Sequence, residues 1–267
     1  MKQTLKSMRR QRGFTLLEMM LVVLILTLVM GVVFNQINMT QKRYRTEEMK
    51  LDLTQESREF MDQIVRDLHS VGYPTAKMYN TSMLASTPRN GTNVAAGLVK
   101  AAYDELWFEG DVNGDGTVWV IDYKLQADAN GNCPCRISRS QVQKVAGDPL
   151  TGQSAAQYNM ELTDVINSGG AGGGASGAAK YSISGYSTVN GTTTANNTLF
   201  ANYKTANVFT YYNASGSEVS PTDINSSTIS NIKTIRININ VLGRQADLQT
   251  GMRPVMSYSA AARMPGQ

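Results

Sequence analysis

The chain has 267 residues, of which 42% are hydrophobic and 17% charged. This length and composition suit one large or two modest folded domains, and exclude both a highly charged disordered chain and a protein with many membrane spans. Five of its 25 basic residues lie within residues 1–13, so the rest of the chain, with 20 basic and 21 acidic residues, carries a net charge of −1. Without a basic surface, no nucleic-acid partner is expected.

Behind the basic segment, residues 14–34 form an apolar run, FTLLEMMLVVLILTLVMGVVF. As a helix at about 1.5 Å per residue the run would be ~31 Å long, close to the ~30 Å of a bilayer's hydrocarbon core. No small-residue cleavage site of the kind used by secretory signal peptidases follows it. The run therefore predicts a single membrane-spanning helix, and the positive charges ahead of it predict that residues 1–13 stay in the cytoplasm while the bulk of the chain lies outside.

Glu18 is the one acidic residue inside this run. An unpaired carboxylate near the membrane centre costs roughly 2.5–3.5 kcal/mol on insertion scales. One interpretation is a solvated acid at the membrane interface. The other requires a nearby cation, and cleavage between Gly13 and Phe14 would create one. The free amine of Phe14 in one copy could then meet Glu18 of a neighbour displaced along the helix axis.

The segment RGFTLLE, from Arg12 to Glu18, follows the basic leader and opens the apolar run. It resembles the class III signal of type IV pilins and type II secretion pseudopilins. The resemblance implies that a prepilin peptidase cleaves after Gly13 and methylates the amine of Phe14, and that Glu18 docks each subunit onto a filament. Many pilins have a proline farther along this helix, whereas none occurs here between Phe14 and Tyr73.

The helical pattern continues beyond the apolar run. Between residues 35 and 71, apolar residues recur at spacings of three, four and seven, and the pattern ends at Gly72-Tyr73-Pro74. We therefore predict one helix from about residue 14 to residue 71, with a globular domain packed over the apolar stripe of its second half. The stripe consists of Ile37, Tyr44, Leu51, Phe60, Ile64, Leu68 and Val71.

Residues 66–73, RDLHSVGY, point to a smaller group within this family. They are similar to the R-D-L-x-x-x-G-Y segment of PilW-like minor pilins, where the stalk helix enters the head. In this chain Gly72 would turn the backbone, and we expect Tyr73 to pack into the core of the head. His69, which has no second histidine to join it, is expected at the surface.

Two predicted strands, within residues 104–109 and 117–125, flank a turn rich in Asp, Asn and Gly. The turn fits an ordinary hairpin, but its oxygen-bearing residues also match the spacing of a D-x-N-x-D-G calcium loop. Aspartate at the last position, where glutamate is usual, and strands as flanks favour the hairpin. Calcium is the one cofactor that the sequence suggests. Its candidate ligands are Asp111, Asn113, Asp115, Thr117 and Asp122.

Cys133 and Cys135 are the two cysteines of the chain. Two thiols are too few for a structural zinc site, but residues this close could form a strained disulfide in an oxidising periplasm. The sequence fits a reduced pair and a tight bridge in a surface loop equally well.

Near the C-terminus, Ile and Val alternate with polar residues over residues 234–241, which predicts a strand with one buried face. Further strands are predicted at residues 207–212 and 255–262, the latter returning beside 234–241. The fold class is therefore α+β: a pilin-like lollipop whose long N-terminal helix packs on a mainly antiparallel head with long loops. The predicted domains are a leader that is removed (1–13), a transmembrane and filament-core helix (14–34), its amphipathic continuation (35–71) and a globular head (72–267).

Together the resemblances imply a minor pilin, a structural subunit of the priming or tip complex of a type IV pilus that supports pilus biogenesis, adhesion or motility. A type II secretion pseudopilin is an alternative with the same N-terminal features, and a pilus-borne adhesin or DNA-uptake subunit is a further one. The implied partners are other major and minor pilins, the prepilin peptidase, the pilus assembly platform and, before assembly, inner-membrane lipid. The implied location is the bacterial inner membrane, with the head in the periplasm, and then the pilus or cell surface.

Enzymatic activity is not expected. The sequence contains no recognisable nucleotide-phosphate loop, and no Ser-His-Asp set can be assembled around His69, the single histidine.

Overall fold

A computed structural model describes residues 14–168, 180–189, 191–247 and 250–264. The chain divides into two compact units, residues 1–46 and 47–267. The predicted leader, residues 1–13, lies outside the described residues. The helices are α1 (Leu16–His69), α2 (Asn196–Leu199) and α3 (Ala201–Lys204). The strands are β1 (Leu98–Ala101), β2 (Glu105–Gly110), β3 (Trp119–Gln126), β4 (Asn132–Cys133), β5 (Cys135–Gln143), β6 (Tyr158–Val165), β7 (Ser182–Ile183), β8 (Tyr186–Val189), β9 (Thr192–Ala195), β10 (Phe209–Tyr212), β11 (Glu218–Val219), β12 (Thr222–Asp223), β13 (Thr234–Leu242) and β14 (Val255–Arg263).

Helix α1 is a single element of 54 residues, and its ends confirm the predicted helix to within two residues on each side. No proline interrupts it, and it stops just before Gly72, whose φ of 75° is the left-handed conformation that commonly ends a helix. The predicted boundary between residues 34 and 35 therefore falls inside one continuous helix.

Within the second unit, α1 buries one stripe of side chains in the hydrophobic core. Phe60 and Ile64 belong to this stripe, and the Phe60 ring packs edge-on against Tyr123 of β3 with ring centroids 6.1 Å apart. The buried stripe begins at Leu53. The prediction was wrong at Leu51, Tyr44 and Ile37, which are 68%, 72% and 44% exposed. Residues two apart on a helix point about 200° apart, and the core contacts the face that carries Leu53.

The larger sheet of the second unit contains ten strands among the described residues, in the order β11-β10-β13-β6-β5-β3-β2-β1-β12, with β14 paired to β13. Every pairing within it is antiparallel. A long helix followed by this sheet confirms the α+β class. The short strands β4 and β7 pair in parallel, and β8 and β9 form a separate antiparallel pair.

The clearest predicted strands are present in the expected pairing. Strand β14 returns beside β13 in an unbroken register from Thr234 opposite Arg263 to Leu242 opposite Val255. The predicted hairpin around residue 114 is β2–β3, with Gly110 opposite Trp119 at its closed end. Alternate β13 residues from Ile235 to Val241 are buried, as the alternation of apolar and polar residues predicts.

Backbone contacts hold the end of α1 against the sheet. The Gly72 N–H donates to the Glu109 carbonyl over 3.0 Å, and the Asp111 N–H donates to the Tyr73 carbonyl over 2.9 Å. Tyr73 itself is 50% exposed, so the expectation that its ring packs into the core was wrong. The contact between the end of α1 and the sheet is therefore made by the backbone of Gly72 and Tyr73, and not by the Tyr73 ring. His69 is exposed at the last residue of α1, as expected.

Candidate functional site: the apolar start of helix α1

The apolar run predicted from the sequence is exposed on the surface of the subunit along its whole length. Every residue from Phe14 to Phe34 is exposed in the subunit. Among the described residues, α1 is the one helix long and apolar enough to cross a membrane, and its most apolar stretch has no buried residues. Because such a surface is unfavourable in water, this part of the chain requires lipid or other apolar helices around it.

The three polar side chains of the run form hydrogen bonds within the helix itself. The Thr27 hydroxyl donates to the Leu24 carbonyl over 2.8 Å. Glu18 Oε2 accepts from both the backbone N–H and the hydroxyl of Thr15, over 2.9 and 3.0 Å. These local bonds lower the cost of placing the polar groups in an apolar environment.

Thr15 and Glu18 form a reciprocal capping box at the start of α1. The Glu18 N–H donates to the Thr15 hydroxyl over 3.3 Å, while Glu18 Oε2 accepts from the Thr15 N–H. Sequence reasoning missed this role, although T-x-x-E ahead of an apolar run is its signature. The carboxylate also lies in the first turn, where the helix dipole favours a negative charge.

The capping box leaves Glu18 with capacity for a further partner. Both Thr15 donors use Oε2, and Oε1 has no hydrogen-bond partner among the described residues. Glu18 is exposed in the subunit, so a cation on another molecule can reach this oxygen. Phe14, whose amine would become free after cleavage, is also exposed, at 81%. The geometry is thus compatible with both a helix-capping role and pairing between subunits.

Comparison with known families decides what kind of N-terminus this is. Residues 8–34 match the family model described as the prokaryotic N-terminal methylation motif. The chain carries a prepilin-type class III signal. No curated protein and no solved structure matches the chain at a significant level.

The class III signal supports a pilin-like or pseudopilin protein, which agrees with the resemblance found in residues 12–18. It implies processing by a prepilin peptidase and assembly into a pilus-type filament. Together with the exposed apolar helix, it fits anchoring in a membrane before assembly. The match ends at residue 34, so it carries no information about the head.

The candidate calcium turn uses its carboxylates internally. Asp111 Oδ1 accepts from the N–H groups of Gly114 (2.7 Å) and Asp115 (3.2 Å), and Asp111 Oδ2 accepts from the Gly116 N–H (2.8 Å). Asp115 Oδ1 accepts from the Thr117 N–H over 2.8 Å. Gly114 and Gly116 have φ values of 72° and 82°, which glycine adopts without strain.

The remaining candidate ligands point to other partners. Asn113 Oδ1 accepts from Gln141 over 3.4 Å, and the Asp122 carboxylate accepts from the Tyr158 hydroxyl. Asp122 lies three residues into β3, roughly 10 Å from the closed end of the hairpin at the rise of a strand. Among the described residues, no group of three His, Cys, Asp or Glu side chains could hold a metal ion. The observed turn closes the β2–β3 hairpin, and the calcium site stays a prediction.

Cys133 and Cys135 are joined by a disulfide in the structure. Both are part of the hydrophobic core, with exposures of 1% and 2%. The expectation of a surface loop was therefore wrong. The reason is non-local pairing: Cys133 on β4 lies opposite Ile183 on β7, and Cys135 on β5 lies opposite Val165 on β6.

Proposed function

We propose that this chain is a minor pilin that takes part in assembling a type IV pilus, in its priming or tip complex. The observation that carries the proposal is the fully exposed apolar helix that begins at a class III signal, with Glu18 in its first turn. Such a helix has two suitable environments, the membrane and a bundle of like helices. A subunit that passes from the first to the second is an assembly component.

The similarity of residues 66–73 to PilW-like minor pilins favours a minor over a major subunit. The structure supplies a physical role for this segment. Asp67 accepts hydrogen bonds from Arg139 and Tyr123, and Gly72 donates to the strand carbonyl of Glu109. The segment thus fixes the end of the helix to the head. A filament subunit needs this connection if its packed helix is to hold the head in a defined position.

We propose the following sequence of events at the N-terminus. The basic residues 1–13 remain in the cytoplasm, the prepilin peptidase cleaves after Gly13, and the new amine of Phe14 is methylated. In the filament, Glu18 Oε1 accepts from the Phe14 amine of an adjacent subunit, while Oε2 keeps the Thr15 capping bonds. Inside a bundle of apolar helices this pairing avoids an isolated buried charge, which is strongly unfavourable.

The substitution Glu18→Ala tests the pairing. Processing should remain near normal, whereas incorporation of the subunit into sheared pili should fall strongly. Cleavage is followed by the N-terminal mass of the purified protein, and incorporation by immunoblotting of the pilus fraction. Glu48→Ala is the matched control, because Glu48 is an exposed acid on the same helix beyond the apolar run. Normal incorporation of the Glu18→Ala protein would refute the pairing.

A type II secretion pseudopilin is the second candidate, since the matched residues 8–34 are common to both systems. Deletion of the gene separates the two. Loss of surface pili with normal secretion of exoproteins supports the pilus, and the reverse supports the secretion system.

A structural rather than enzymatic role is part of this proposal. The support is that the single histidine lies exposed at the end of α1, and that the buried carboxylates of Asp67, Glu109 and Asp122 accept hydrogen bonds from neighbouring groups of the fold. Hydrolysis or group transfer by the purified chain, abolished by substitution of one of these acids, would contradict it.

A further inference from the structure

A cavity of about 400 Å³ opens on the second unit where β10, β13 and β14 meet. The turn between β10 and β11 forms one wall, and the exposed sheet face forms the floor. Thr234 lies opposite both Tyr212 and Arg263, and Arg236 lies opposite Ala261. Ala261, which has a small side chain, also lines the cavity.

The charge of this cavity is entirely positive. Lys233, Arg236 and Arg263 all line it, and no acidic residue does. Because β13 and β14 are antiparallel and in unbroken register, Arg236 and Arg263 lie on the same sheet face. Three like charges so close together repel each other unless an anion lies between them.

Within the part of the chain that the structure describes, no acidic group pairs with these cations. Lys233 Nζ donates to the Ser230 carbonyl over 3.0 Å, and the Arg236 guanidinium lies 5.4 Å from the centre of the Tyr212 ring. None of the ion pairs among the described residues includes any of the three. Glu218 lies opposite Tyr212 in register, but its carboxylate accepts from the Tyr103 hydroxyl over 3.4 Å and does not line the cavity.

We propose that this cavity, named here the basic cavity, binds a phosphate or sulfate group carried on a sugar. Two guanidinium forks and an ammonium are the donors that suit a tetrahedral oxyanion. The volume is far more than such an ion needs, since one water occupies about 30 Å³ of liquid, and it falls in the ~300–1,000 Å³ range of small-molecule sites. The cavity therefore has room for a larger group attached to the anion.

The walls indicate that this larger group is polar. Thr234 presents a hydroxyl, and Asn213 uses its side-chain oxygen to accept from Ser215 and Ser217, which leaves its NH₂ group available as a donor. The only large apolar surface is the Tyr212 ring, and Arg236 already lies over it. A nucleobase or an acyl chain would find no open aromatic face or apolar wall, whereas sugar hydroxyls would find hydrogen-bond partners.

The test uses the full chain in a polyoxyethylene detergent, which has no sugar headgroup, and a buffer without phosphate. Isothermal titration calorimetry is run with glucose 6-phosphate, inorganic phosphate, glucose and a short DNA duplex. We expect saturable binding of glucose 6-phosphate, weaker binding of phosphate and none of glucose. Arg236→Gln and Arg263→Gln should each weaken glucose 6-phosphate binding about tenfold or more, the usual effect of losing a charge-assisted hydrogen bond.

Arg136→Gln is the matched control, because Arg136 is an exposed arginine on β5 outside the cavity. It should leave binding unchanged, and thermal melting of all variants checks that the head is folded. Equal weakening by Arg136→Gln, equal affinity for phosphate and glucose 6-phosphate, or tighter arginine-dependent binding of the duplex would each overturn the proposal. A sulfated heparin tetrasaccharide identifies the source. Tighter binding than glucose 6-phosphate supports a polysaccharide, and weaker binding supports a free sugar phosphate.

Discussion

Asp67 and Arg139 tie helix α1 to the middle of the sheet. Arg139 Nε donates to Asp67 Oδ2 over 2.8 Å, and the Tyr123 hydroxyl donates to the same oxygen over 2.7 Å. Both charged side chains are largely buried, with exposures of 13% for Arg139 and 11% for Asp67. The aspartate of the R-D-L segment is thus a structural anchor, which gives that segment a physical meaning independent of any family.

Asp67→Ala should destabilise the head strongly, because it leaves Arg139 as a buried charge without its partner. A loss of ~3–5 kcal/mol in the free energy of unfolding is expected for breaking such a pair. Trp107 and Trp119, the two tryptophans, lie on β2 and β3, so their fluorescence in a urea titration follows the sheet. Asp62→Ala, at an exposed acid of the same helix, is the control. If both variants unfold at the same urea concentration, the ion pair contributes nothing to the stability of the head.

The close approach of strand β2 to the end of α1 leads to a second prediction. A Cβ atom on Gly110 would lie 2.8 Å from Ser70 Oγ and 2.9 Å from the Ser70 carbonyl carbon, closer than real Cβ atoms come. Gly110→Ala should therefore push the helix end from the sheet and cost about 1–3 kcal/mol, the usual range for overpacking.

The control for this substitution is Gly91→Ala, where the nearest atom would be 3.4 Å away, an ordinary contact. Urea titrations followed by tryptophan fluorescence compare the two variants with the wild type. If Gly110→Ala unfolds at the wild-type urea concentration, then the joint between α1 and β2 is not rigid.

A third prediction concerns Lys144 and Glu109, which form an ion pair with both side chains at 0% exposure. Lys144 Nζ lies 2.5 Å from Glu109 Oε2 and also donates to the carbonyls of Arg89 and Val94, each over 2.7 Å. Lys144→Met removes all three bonds and isolates the carboxylate, so a loss of ~3–5 kcal/mol is expected.

The double variant Lys144→Met with Glu109→Gln should be less destabilised than Lys144→Met alone, because no unpaired charge then remains in the core. Comparison of Lys144→Met and Glu109→Gln, each alone, with the double variant gives the interaction energy between the two side chains. Strictly additive losses would mean that the two side chains do not stabilise each other.

The sequence predicts local features of this fold well and non-local ones poorly. The continuous α1 and the β13–β14 pair follow from long periodic patterns that few competing structures satisfy. The burial of Cys133 depends on β4 pairing with β7 some fifty residues away, which no local pattern reports. The choice of Leu53 over Leu51 depends on which helix face the sheet covers.

The same distinction applies to the candidate sites. The class III signal is a contiguous motif, so the sequence alone predicts it. The T-x-x-E capping box is also a contiguous motif, but it was not predicted. The basic cavity combines residues from three separate strands and a turn. Since the chain outside the leader is almost neutral, its composition conceals a local cluster of positive charge.

The last prediction concerns pH. Burial raises the pKa of Asp122 from 3.8 to about 6, although the hydrogen bond from the Tyr158 hydroxyl opposes this shift. Between these two values the folded state binds more protons than the unfolded chain, so the free energy of unfolding falls as pH rises from about 4 to 6 and stays lower above. Asp122→Asn removes this contribution. It should flatten the pH profile and stabilise the protein at pH 7 by about 1–3 kcal/mol.

Urea titrations at intervals from pH 4 to pH 7 measure this profile, again by tryptophan fluorescence. The pKa of Glu109 is also raised by burial, and its contribution has the same sign in both proteins, so it cancels in the difference between them. Asp62→Asn controls for the change in net charge at an exposed position. Parallel profiles for the wild type and Asp122→Asn would mean that the Asp122 carboxyl titrates alike in the folded and unfolded chain. In that case the Asp122 carboxyl would be better hydrated than the 6% exposure of this residue implies.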